Sequence, residues 1–96
     1  MLRSQVLDRL RREKPELVRR FHVDRLALFG SVARDKARPD SDVDVLVSFD
    51  GPATSQRYFG VQFCLEDALG GPVDLVTEKA LRAELRPCVE RDIIEV

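Results

Sequence analysis

Leu26-Ala27-Leu28-Phe29-Gly30-Ser31, followed after the ten residues Val32 to Ser41 by Asp42-Val43-Asp44-Val45-Leu46-Val47, is the stretch on which the fold of this chain turns. Both halves are apolar runs of strand length, and each carries polar groups for which a core has no use. Arg25 to Phe29 is a short run closed by Gly30 and suits a buried strand. Asp42 to Phe49 is the clearest strand. Alternation sends Val43, Val45 and Val47 to one face and Asp42, Asp44 and Leu46 to the other. Between them, Ser31 to Lys36 reads as a helical turn, and Ala37-Arg38-Pro39-Asp40-Ser41 as a loop by its turn residues.

Outward from this pair the pattern is helical on both sides. Residues 4–13 read as a helix with Val6 and Leu10 on one face, Leu7 beside them and Ser4 as the N-cap. Pro15 is expected to stop that helix near Lys14 and to open a short second one through Arg20. Residues 55–69 carry the stripe Tyr58, Val61, Leu65 and Leu69, stop at Gly70-Gly71, and are weakened at Gly60 by about 1 kcal/mol relative to alanine. Pro72 to Val76 is a third strand and contains Asp74. Thr77 or Glu78 starts a last helical region around Leu81 and Leu85, which Pro87 can divide. Ile93, Ile94 and Val96 suit a short edge strand. The order predicts an α/β (α+β) fold, a small mixed sheet flanked by helices. Length points to one domain, residues 1–96.

With 16 basic and 17 acidic side chains the net charge is -1, so no global field draws in nucleic acid and any phosphate-binding surface is local. Neither the charge nor the length offers a polymerase its template channel. Cys64 and Cys88 form no CxxC pair and His22 has no companion, which argues against zinc. The cysteines read as reduced thiols. No signal-peptide core and no membrane-spanning run is present, so the expected location is cytoplasmic.

The carboxylates carry the chemistry. Two residues apart on a strand, Asp42 and Asp44 point the same way about 6.6 Å apart. They repel each other unless a divalent cation sits between them, and hard oxygen ligands suit magnesium. If the Val73-Asp74-Leu75-Val76 strand neighbours the first, Asp74 faces the same cluster. Three carboxylates from two strands can hold two metal ions at the spacing, about 4 Å, used for in-line displacement at phosphorus. Gly30 lets the backbone approach a phosphate, Ser31 adds a hydroxyl at the start of the turn, and Arg34 lies on the side of that turn where it can add a charged contact. Taken singly, Gly30-Ser31 is an ordinary strand-to-turn junction, Asp42 and Asp44 suit a solvated edge, and Arg34 suits a surface ion pair. Only the joined set is specific.

Gly30-Ser31-Val32-Ala33-Arg34, then Asp42-Val43-Asp44, then Val73-Asp74-Leu75-Val76 resembles the signature of the DNA polymerase beta-like nucleotidyltransferase superfamily, in its minimal nucleotidyltransferase antitoxin branch. The resemblance covers residues 24–78 well and the flanking helices loosely. It implies transfer of a nucleoside monophosphate from a triphosphate, with ATP as donor and Mg2+, as two ions, as cofactor. Gly30 and Ser31 would hold the triphosphate, with Arg34 beside them. Asp42, Asp44 and Asp74 would ligate the metals, and Asp74 would help activate the acceptor hydroxyl. The branch implies a cognate HEPN-type toxin as partner and a toxin tyrosine as the AMP acceptor. Two rivals stand beside this reading: a silent antitoxin that neutralises its toxin by contact, and a nucleotidyltransferase for a small-molecule acceptor.

Overall fold

The computed structural model of the chain describes residues 2–36, 42–81 and 91–96. Helix α1 runs Arg3–Phe21, strand β1 Val23–Phe29, the single turn α2 Gly30–Ala33, β2 Val43–Phe49, α3 Ser55–Leu69, β3 Val73–Thr77 and β4 Ile94–Glu95. The expected third strand, the helix over residues 55–69 and a short C-terminal edge strand are all present. The last helical region around Leu85 and Pro87 lies outside the described residues; residues 78–80 form a turn.

Pro15 does not divide the N-terminal helix. Residues 3–21 form one element with Pro15 inside it. Proline forgoes a backbone hydrogen bond there and crowds the preceding turn. Leu10 on one side and Leu17 on the other are both fully buried, so burial against one sheet keeps the two halves in line. Ser4 is not the cap either. Leu2 takes the N-cap position, and the Gln5 side-chain oxygen accepts from the Leu2 N–H at 3.0 Å. The helix closes at His22, left-handed at φ 59°, whose N–H donates to Val18.

The sheet has four strands in the order β3-β2-β1-β4. Strand β1 is antiparallel to both neighbours, and β2 is parallel to β3. A parallel pair needs a crossover, which α3 provides. The valine alternation of β2 is visible in its burial: Val43, Val45 and Val47 join Val6, Leu10 and Leu17 of α1 and Val61, Leu65 and Leu69 of α3 in one core. Leu46, which alternation puts on the carboxylate side, is also buried, as is its β1 partner Ala27. Both faces of the sheet are therefore covered at that point.

Gly60 has a packing role that helix propensity hides. A Cβ at that position would run into the Phe21 ring of α1. The missing side chain lets the two helices close on each other beneath that ring.

Candidate active site

Asp42, Asp44, Asp74 and the Gly30-Ser31 turn lie at one end of the sheet, where β1 ends and β2 and β3 begin. Asp44 is the hub. Across the antiparallel ladder it pairs with Phe29, the residue before Gly30. Across the parallel ladder it pairs with Asp74. Equivalent positions on adjacent parallel strands face the same side, so the two carboxyls meet. Asp42 stands exposed immediately before β2, and Asp74 is exposed on the edge strand.

Asp74 is held by its neighbours in the chain. The Glu66 carboxylate accepts from the Val73 N–H at 3.2 Å, and Gln62 donates to the Val73 carbonyl at 3.4 Å. The Tyr58 hydroxyl donates to the Leu75 carbonyl. Helix α3 thus fixes the backbone on both sides of Asp74 while Val73 and Leu75 are buried in the core. Tyr58 is accordingly more than an apolar stripe residue.

Gly30 opens α2 at φ +79°, and a Cβ there would overlap the Asp44 carboxylate, lying 2.9 Å from its carboxyl carbon. The glycine is required twice over, by its left-handed backbone and by the side chain packed against it. Ser31 lies part-buried in the turn that follows. That turn, expected over residues 31–36, is a helix only over Gly30–Ala33, and Arg3 of α1 clamps it by donating to the Ala33 carbonyl at 3.3 Å. Arg34 is exposed at its C-terminal end, and its guanidinium donates to Asp92 at 3.1 Å.

Burial pushes the Asp44 carboxyl up to about 6, and the charge of Asp74, a hydrogen bond with Asp74 and the charge of Asp42 push the same way; Arg34 pulls it back. Burial and the neighbouring carboxylates thus outweigh what Arg34 offsets. Asp44 in that position holds its proton tightly, and the hard oxygens of the set suit a divalent cation. Among the described residues no three carboxylate, histidine or cysteine side chains already form a group that could hold a metal ion. Asp44 and Asp74 stand side by side in the parallel register, and the charge of Asp42 reaches Asp44.

Asp92 escaped the sequence reading. It lies 58 positions from Arg34, and only the pairing of β4 with β1 brings the two together. No local pattern announces that. His22 is exposed at the helix end, and Cys64 is a free, half-buried thiol beside the core. Cys88 lies outside the described residues.

The nucleotidyltransferase domain family matches residues 5–95, and the chain belongs to that family. Among its relatives is the protein adenylyltransferase MntA of Thermococcus cleftensis, 37% identical over 83 residues, which are 86% of this chain and 84% of that protein. A solved minimal nucleotidyltransferase shares 38% identity and superposes with a TM-score of 0.84 over 100% of this chain and 97% of that one. The fold also matches, at 20% identity and a TM-score of 0.59, a chain in the structure of a tri-AMPylated Shewanella oneidensis HEPN toxin in complex with MNT antitoxin. That match covers 97% of this chain and 66% of the other.

Proposed function

We propose that this protein is a magnesium-dependent adenylyltransferase and antitoxin that transfers AMP from ATP to a tyrosine hydroxyl of a HEPN-type toxin. One observation carries the catalytic part: Asp44 sits in register with Asp74 and directly against Gly30. The acidic pair and the turn suited to a triphosphate are therefore adjacent. The adenylyltransferase relative, and the antitoxin fold seen beside an AMPylated toxin, support the choice of nucleotide and partner.

In this reading Asp42, Asp44 and Asp74 hold the metal. Bound there, Mg2+ would neutralise charge on the phosphate oxygens. The donor set fits that ion, since its oxygens are hard and its excess negative charge already pushes the Asp44 carboxyl upward. The chain's own residues do the positioning that phosphoryl chemistry mainly requires. Gly30 and Ser31 present backbone N–H groups and a hydroxyl to the triphosphate, and Arg34 adds positive charge beside them. Asp74 takes the proton from the acceptor hydroxyl as its oxygen bonds to the α-phosphorus. The bond to the β-phosphate oxygen breaks, and pyrophosphate leaves.

The test is to incubate the protein with the product of its neighbouring gene, ATP and magnesium, and to weigh that product intact. An added AMP is expected, and Asp42→Asn or Asp44→Asn should abolish it. A partner that stays unmodified with every nucleoside triphosphate would rule out protein modification.

A further inference from the structure

The contact between Arg34 and Asp92 joins the turn after β1 to a residue 58 positions away. Asp92 comes from the far end of the chain, and that end is tied down over β1. Ile94 pairs with Leu28 and Glu95 with Ala27. The Val96 N–H donates to the Leu26 carbonyl at 3.0 Å, Lys14 donates to the Val96 carbonyl at 2.9 Å, and Arg25 binds the Glu95 carboxylate. This anchoring sets Asp92 beside the turn that follows β1. Its side chain is only 21% exposed, whereas that of Arg34 is 50% exposed.

We infer that Asp92 is a positioning residue, which holds the Arg34 guanidinium at the Gly30-Ser31 turn ready for the anionic phosphates of a nucleoside triphosphate. The inference rests on the proposed nucleotide-binding role of that turn. A free arginine side chain samples many rotamers, and ordering it on ligand binding costs affinity. An acid that orders it beforehand removes that cost. The geometry allows both partners at once: a guanidinium carries five donors in a rigid fork, and the bond to Asp92 uses one of the two at Nη1. Arg34 also acts on the acidic cluster, since its charge reaches Asp44. The pair is a half-exposed ion pair of the kind that adds little to stability, so its removal leaves the fold in place.

The experiment is calorimetric titration of the full chain with ATP and magnesium chloride, in a double-mutant cycle. Asp92→Asn should weaken ATP binding about three- to five-fold, with a melting temperature within a few degrees of the parent. Asp92→Glu should recover most of the loss. Arg34→Ala should weaken binding at least as much as Asp92→Asn, and adding Asp92→Asn to it should cost nothing further. Equal losses from Asp92→Asn with and without Arg34 would overturn the inference, because Asp92 would then act through the strand end and not through the guanidinium. Parent-like affinity in Asp92→Asn or in Arg34→Ala would overturn it too, while leaving the proposed function standing. A parent protein that binds no ATP would refute the proposed function itself, and this inference with it.

Discussion

Asp44 is the residue at which fold and chemistry oppose each other. Its carboxyl titrates at about 6 in the folded protein against an ordinary value of 3.8. A carboxyl with a raised pKa binds its proton more tightly folded than unfolded. Its contribution to stability is therefore complete below pH 4 and is lost as the pH rises toward 6. At pH 7 the charged group opposes folding. Because the side chain is only half-buried, solvent screening reduces the cost to about 1 kcal/mol. Asp44→Asn should accordingly melt a few degrees above the parent at pH 7 in a chelating buffer, and level with it below pH 4. Magnesium should then raise the melting temperature of the parent and not of the variant. A variant that melts lower at pH 7 without metal would show that the carboxylate is stabilised by its surroundings. The alternation in Asp42-Val43-Asp44-Val45 made this side chain legible in the sequence. Its contact with Gly30 was not legible, because the glycine suggested space for a phosphate, whereas the carboxylate fills the place of its Cβ.

At the scale of elements, the strands and α3 could be read from local pattern because their signals are local. Valines alternate along β2, an apolar stripe runs along α3, and Gly70 adopts the left-handed cap at φ 71°. Helix α1 could not be read that way. Whether Pro15 ends a helix depends on what both halves bury, and Leu10 and Leu17 share one core. Pro15→Ala should restore the missing hydrogen bond and stabilise the protein by roughly 1–2 kcal/mol in denaturant melts, less than the full interior cost because proline also stiffens the unfolded chain. A loss of stability would mean that the proline ring itself is needed for packing. Gly60 gives the opposite case. Propensity alone favours alanine there by about 1 kcal/mol, but the new methyl would strike the Phe21 ring. Overpacking costs about 1–3 kcal/mol. Gly60→Ala should therefore destabilise, and trimming the ring with Phe21→Leu should remove most of that penalty. A stabilised Gly60→Ala would show that the ring moves aside freely.

Over the whole molecule, the sheet order β3-β2-β1-β4 is what turns separate motifs into a site. The parallel register puts Asp74 beside Asp44, and the antiparallel one puts Asp44 beside the Gly30 turn. The expectation of a three-carboxylate site already assumed the first of these neighbours. The return of the chain end to β1, which delivers Asp92, had no counterpart in any motif. This end of the sheet is expected to move a nucleotidyl group and not a terminal phosphate. The most direct measurement incubates the protein, magnesium and the product of the neighbouring gene with ATP labelled at either the α- or the γ-phosphate, and follows the label bound to protein. The α label should become protein-bound while the γ label leaves with pyrophosphate. Transfer of the γ label, or of neither label, would contradict it.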